Sequence, residues 1–256
     1  MALLSVSGLG IQFGGLKAVE DFSLSMDPGE IVAIIGPNGA GKTTVFNLVT
    51  GIYKPSSGRV LLDDEDMVGK KASQIANLGM VRTFQNIRLF KDLSVRKNVE
   101  IALHRLCGYS LLDAVVRSAR YREDEREIRE KALEILSIFQ LEDKASEKAK
   151  NLPYGQQRKL EIARALALSP KILLLDEPAA GMNQNEIISL AGLIRFVREQ
   201  FSLSIILIEH QMGLVMSLSE RIVVMNYGRI ISQGTPENVR NDPKVIEAYL
   251  GRRRTA

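Results

Sequence analysis

A chain of 256 residues, 45% hydrophobic and 25% charged, has the proportions of a soluble globular protein and enough material for one large domain or two small ones sharing a core. No apolar run reaches the roughly 18–20 residues that span a bilayer, and the start MALLSVSGLGIQF lacks a basic leader with a cleavage site, so neither a transmembrane helix nor a signal peptide is expected. The single cysteine, Cys107, excludes an internal disulfide and a cysteine-based metal site, while the net charge of +4 suits a nucleotide, a nucleic acid or an anionic membrane face without choosing among them.

Up to Leu62 the chain reads as short strands broken by glycine, at Leu3–Val6, Phe22–Met26, Ile31–Ile35 and Arg59–Leu62, with turn residues in DPGE (Asp27–Glu30) and KPSSG (Lys54–Gly58). Directly after the third strand comes GPNGAGKTT, which satisfies G-x-x-x-x-G-K-[ST]. Residues Gly36, Pro37, Asn38, Gly39, Ala40 and Gly41 form a loop whose glycines allow positive φ, so that backbone N–H groups turn inward around a phosphate. Lys42 then reaches the β- and γ-phosphates, Thr43 offers its hydroxyl to Mg²⁺, and Thr44 continues into a helix whose N-terminus favours an anion.

From about Arg88 to Lys150 the composition shifts to Leu, Ala, Arg and Glu. Ile128, Ala132, Ile135, Leu136 and Phe139 recur at helical spacing between Arg120 and Leu141, with opposite charges three and four apart on the other face. This segment reads as a helical subdomain, 88–159, inserted into an α/β core formed by 1–87 and 160–256. The densest basic runs are RSARYRE (Arg117–Glu123) and GRRRT (Gly251–Thr255). Unbroken apolar runs follow at Ile172–Leu175, Ser204–Ile208 and Ile222–Met225, separated by helical patterns; Ile187, Leu190, Leu193, Ile194 and Val197 mark one helix's core face. Fully apolar strands alternating with helices predict a parallel sheet covered on both faces.

The run KILLLDEP delivers Asp176 and Glu177 to the carboxyl edge of that sheet, where ligands of open α/β folds gather. Asp176 suits the Mg²⁺ side, and Glu177 is placed to deprotonate the attacking water. Gln85 in RTFQNIRLF follows a predicted strand. His210 ends the strand IILIEH, where an imidazole donates to a γ-phosphate. Phe13, upstream of the phosphate loop, suits stacking on adenine.

The phosphate loop, Gln85, the segment LPYGQ (Leu152 to Gln156), LLLDEP and His210, in this order and spanning nearly the whole chain, resemble the ATP-binding-cassette (ABC) family of transporter ATPases. The resemblance implies a P-loop NTPase (RecA-like) core with an N-terminal antiparallel β-subdomain and an inserted α-helical subdomain. It implies ATP and Mg²⁺, with Gln85 joining Thr43 and Asp176 at the metal. It further implies a head-to-tail dimer, in which Pro153, Tyr154, Gly155 and Gln156 face the ATP held by the partner. RTFQNIRLFKDLSVRKNVEIAL, the charged insert, LPYGQQRKLEIARAL and EPAAGMN resemble the LivG-type branch, which serves bacterial importers of branched-chain amino acids. That branch implies a second ATPase subunit (a copy of this chain or a LivF-like paralogue), two permease subunits, a periplasmic binding protein reached indirectly, no nucleic acid, and a peripheral place on the cytoplasmic face of the inner membrane. Related systems for urea and short amides, lipid or lipopolysaccharide export, or a role outside transport are the alternatives.

The chain departs from the family pattern at two places. Pro153 and Tyr154 stand where Ser and Gly are usual, removing a hydroxyl aimed at the partner's γ-phosphate, although proline suits a first helical turn. Asn183 stands where Asp is common. Glu177, Lys42 and His210 act on the chain's own ATP, so the expected protein is a working ATPase. Ile87, Leu89, Phe90 and Leu93 in an otherwise loop-like stretch are expected to meet the permease.

Overall fold

The computed structural model describes residues 2–250, so the basic run at 251–255 lies outside it. In chain order the elements are β1 (Leu4–Phe13), β2 (Leu16–Met26), β3 (Ile31–Ile35), α1 (Lys42–Val49), β4 (Ser57–Leu62), β5 (Glu65–Asp66), α2 (Ala72–Leu78) and β6 (Met80–Arg82). Next come α3 (Val95–Leu103), α4 (Leu111–Val116), α5 (Ala119–Ile138) and α6 (Tyr154–Leu166). The chain then continues through β7 (Ile172–Asp176), α7 (Gln184–Phe201), β8 (Ser204–Ile208), α8 (Met212–Leu218), β9 (Arg221–Asn226), β10 (Arg229–Gly234), α9 (Pro236–Arg240) and α10 (Pro243–Leu250).

Contacts divide the chain into an α/β unit, Met1–Gln85 with Lys171–Ala256, and a helical unit, Asn86–Pro170. The helical unit thus runs beyond the expected 88–159. The reason is α6, which packs on α3 and α5 and buries Leu160, Ile162 and Ala163.

Within the α/β unit one sheet has the order β2-β1-β4-β5 and the other β10-β9-β3-β8-β7-β6. Every residue of β3, β7 and β8 is buried, which is what unbroken apolar strands covered on both faces require. β3 pairs parallel with β8 and β9, and β7 with β8 and β6. The sheet is not wholly parallel: β10 returns antiparallel on β9 at one edge. β1 and β2 are longer than the glycine-broken pattern predicts, because Gly8, at φ 59°, is absorbed as an irregularity between Val6 and Leu9 rather than ending the strand. Gly58 sits against the same point, where a Cβ would lie 2.5 Å from the Gly8 carbonyl. Since β3, β8 and β7 are neighbours, the loops at their carboxyl ends meet at one rim of the sheet.

In the helical unit the predicted long helix is α5, opened by Ser118, whose Oγ accepts from the Tyr121 N–H. Its Ile128, Ala132 and Leu136 are buried. Arg158 of α6 is fully buried and paired with Glu161 at 2.6 Å, so the charge enters the core only with its partner. Asn98 ties down the Phe90 backbone, accepting from its N–H at 2.9 Å and donating to its carbonyl at 3.1 Å.

Candidate active site

β3 runs straight into the glycine loop. Gly36 takes φ 151°, and a Cβ there would lie 2.1 Å from the Met225 carbonyl oxygen, so the residue type is dictated by close backbone approach. Lys42 begins α1 with its ammonium folded back into the loop, donating to the carbonyls of Gly36 at 2.7 Å and Pro37 at 2.9 Å. Burial pushes its pKa down, against the opposing pull of the Glu177 and Asp176 charges. A cleft of about 470 Å³ is lined by the loop from Asn38 through Gly39, Ala40, Gly41, Lys42 and Thr43 to Thr44, together with Gln85, Glu177 and His210. Residues far apart in the chain therefore converge as the sequence predicts.

Glu177 is the centre of the polar group. It follows β7 at φ 47°, a left-handed conformation uncommon for a side-chain-bearing residue. Its Oε1 lies 2.9 Å from His210 Nε2, and its Oε2 accepts from Gln85 Nε2 at 2.9 Å. Asp176, the last residue of β7, is buried, and its Oδ2 accepts from the Arg82 guanidinium at 2.6 Å. Its Oδ1 is equally buried yet has no hydrogen-bond partner, the state of an oxygen suited to a cation or to water held by one. Among the described residues no three His, Cys, Asp or Glu side chains cluster as a metal cage. A hydroxyl and one carboxylate, with phosphate oxygens and water, suit Mg²⁺ rather than a transition metal.

Phe13 is not itself among the residues lining the cleft, but it pairs across the hairpin with Leu16, which is. Its ring is half exposed and meets Tyr53 edge-on at 5.4 Å; the β1–β2 hairpin lines the cleft instead with Leu16, Lys17 and Ala18, and Tyr227 adds an exposed aromatic from the β9–β10 turn.

Two contributors were missed in the sequence. Arg82, at the end of β6, bridges Asp176 and the Asn47 side chain, and packs over Phe46 and Phe84. Glu209 is buried; its Oε1 accepts from the Ala179 N–H and its Oε2 from those of His210 and Gln211. For Glu209 a signal existed: IILIEH ends an apolar strand in a carboxylate, as LLLDEP does.

In the helical unit, Pro153 is the residue preceding α6 rather than part of its first turn, and no side chain caps that helix. Tyr154 begins the helix and its hydroxyl lies 3.4 Å from the Arg158 guanidinium. Gly155 follows, and Gln156 Oε1 accepts from Lys144 at 2.8 Å. Asn183 caps α7, accepting from the Glu186 N–H while Glu186 accepts from its own, which closes a capping box at the start of that helix.

The sequence pattern of the ABC transporter family matches residues 19–180. The chain belongs to the ABC transporter family. A second pattern, for the branched-chain amino acid ATP-binding cassette transporter, matches residues 229–254 of this ABC transporter chain. The high-affinity branched-chain amino acid transport ATP-binding protein LivG of Escherichia coli is 48% identical over 97% of this chain and 98% of its own length. BraF of Pseudomonas aeruginosa, described in the same words, is 47% identical over the same shares. Among solved structures, the ADP conformation of an ATP-binding cassette of an ABC transporter superposes with a TM-score of 0.84 at 32% identity, over 98% of this chain and 100% of that one. A dimeric post-hydrolysis cassette bound to ADP and phosphate gives 0.76 at 25% identity, over 91% and 98%. The fold is therefore the P-loop NTPase cassette, and this ABC protein is an ATPase coupled to transport. Among the described residues no helix is long and apolar enough to cross a membrane.

Proposed function

We propose that this ABC chain is the ATP-hydrolysing subunit of an importer of branched-chain amino acids. Glu177 held between Gln85 and His210 beside the phosphate loop is the observation that carries the catalytic assignment. The full-length likeness to LivG and BraF and the match at residues 229–254 support the solute.

In this reading the loop from Gly36 to Thr44 wraps the phosphates, with the Lys42 ammonium leaving its two carbonyl partners for the β- and γ-phosphate oxygens. Thr43 and Asp176, joined by the Gln85 side chain, hold Mg²⁺, which neutralises phosphate charge when bound. Glu177 takes a proton from the attacking water as its oxygen bonds to the γ-phosphorus, and ADP leaves. Each Glu177 oxygen accepts one hydrogen bond and keeps a second acceptor site for the water, while a γ-phosphate offers His210 a second partner. Phe13 or Tyr227 supplies the aromatic face for adenine, and Tyr227 is favoured because it lines the cleft.

Pro153, Tyr154, Gly155 and Gln156 face a nucleotide on a second ATPase subunit; the uncapped N–H groups of the first turn of α6 suit that task. Two permease subunits and a periplasmic binding protein complete the transporter at the cytoplasmic face of the inner membrane.

The test has two arms. Steady-state ATP hydrolysis by the purified chain is measured across protein concentration, with Glu177→Gln as blank. Specific activity that climbs with concentration and vanishes in the variant supports the catalytic assignment; activity persisting in the variant overturns it. Uptake of labelled leucine, isoleucine and valine against urea, in cells lacking and regaining the chain, reads the solute.

A further inference from the structure

α4 buries none of its six residues. Leu111, Leu112, Val115 and Val116 are 88%, 76%, 80% and 70% exposed. Positions i, i+1, i+4 and i+5 lie on one helix face, so these four side chains form a continuous apolar surface, of the kind that marks a docking or membrane site.

The helix is nevertheless firmly held. Ser110 and Asp113 close a capping box across its first turn. Behind it the Tyr109 and Tyr121 rings meet edge-on at 5.0 Å, and the Tyr109 hydroxyl donates to Glu125 at 2.9 Å. The Gly108 N–H donates to Asp124 at 2.9 Å. Polar contacts thus fix the segment with its apolar face outward.

The exposed charges beside this face are mostly basic. Between His104 and Glu125 they are Arg105, Arg117, Arg120 and Arg122 against Glu123, whereas the partly buried Asp113, Asp124 and Glu125 are engaged by Ser110, by the Gly108 N–H, and by Tyr109 with His104. An apolar helical face rimmed by arginine is the pattern of a helix lying in the interface of an anionic bilayer.

We propose that α4 is a lipid contact: its leucines and valines enter the acyl boundary of the membrane while the neighbouring arginines meet the phosphates of anionic lipids. The exposed arginines beside it complement lipid phosphate, which favours an anionic bilayer over a protein groove. The inference goes beyond the importer reading and depends on neither the solute nor turnover.

Flotation of the full chain with vesicles of phosphatidylcholine, with and without phosphatidylglycerol, tests it. The chain floats with the anionic vesicles and is released as salt shortens the screening length. The double variant Leu112→Asp, Val116→Asp lowers binding by about tenfold or more while nucleotide binding stays unchanged. Because the chain has no tryptophan, Leu112→Trp supplies a single reporter, whose emission moves to the blue with anionic vesicles only. Wild-type protein that stays unbound at every lipid concentration, or a double variant that floats equally well, overturns the proposal. If the wild type ignores vesicles and Leu112→Asp instead blocks assembly with permease subunits, the occupant is protein and the proposal is equally overturned.

Discussion

His210 Nε2 stands 2.9 Å from Glu177 Oε1: the imidazole assigned to the γ-phosphate and the carboxylate assigned to the water hold one another. With Gln85 on the other oxygen, the carboxylate is oriented before any nucleotide arrives. Gln85 and His210 together fix the direction in which the Glu177 carboxylate faces the cleft.

Glu177→Gln keeps the shape but removes the base and turns one of the two acceptor oxygens into a donor. ATP hydrolysis falls by about 10²–10⁴-fold, while ATP binding, read by fluorescent nucleotide titration, is retained.

Arg82→Ala strips a buried carboxylate of its partner, since the side chains of Arg82 and Asp176 are 5% and 2% exposed. Removing one member of such a pair costs about 3–5 kcal/mol. Urea denaturation reads the loss, and Arg82→Lys recovers part of it, because one charge returns without the reach to Asn47.

Pro153→Ser adds a hydroxyl at the cap of α6. A new cap contributes about 1 kcal/mol, and loss of proline's stiffness in the unfolded chain offsets about 0.4–1 kcal/mol. Global stability therefore barely moves. A contact to a charged phosphate, worth about 1.5–3 kcal/mol, lowers the apparent KM for ATP by about tenfold or more; steady-state kinetics on the assembled ATPase pair measures it.

Phe90→Ala removes a ring that is exposed and covered on one side by Arg164, 5.5 Å from its centroid. Asn98 continues to hold the backbone, so the fold persists. Solute uptake drops while ATP binding by the purified chain is unchanged; equal uptake would remove Phe90 from the permease surface.

The Glu125 carboxyl is pushed up by burial, but hydrogen bonds from Tyr109 and His104 prevail and hold it below the ordinary value of 4.5. A carboxyl depressed in the folded state binds protons more weakly folded than unfolded. Its contribution is complete above that ordinary value and fades as pH falls through the depressed one. Hydrogen exchange across α4 and α5, corrected for the intrinsic rate, accelerates in that acid window. In Glu125→Gln it is already fast at neutral pH.

Much of the candidate site was legible in the sequence because its residues sit at strand ends. A buried strand announces itself by an apolar run, and its last residues must then reach the sheet's carboxyl edge; Gly36, Asp176, Glu177 and His210 all follow from that rule. Arg82 did not, because its role depends on β6 lying beside β7, and a three-residue strand carries little pattern. Phe13 sits opposite Leu16 at the hairpin turn, one pairing from the cleft lining, and its position upstream of the loop does not fix which way its ring turns. Gly8 and Gly10 concealed the length of β1, since a glycine that permits a bulge looks in sequence like one that ends a strand. The limits of the helical unit were set by α6 packing on α3 and α5, a tertiary contact with no local mark.

Glu209 receives the amides of Ala179, His210 and Gln211 on one carboxylate. Two loops, one leaving β7 and one leaving β8, are thereby pinned to a common rivet. A single buried side chain thus sets the spacing between the loop that carries Glu177 and the loop that carries His210, from behind the polar group they form.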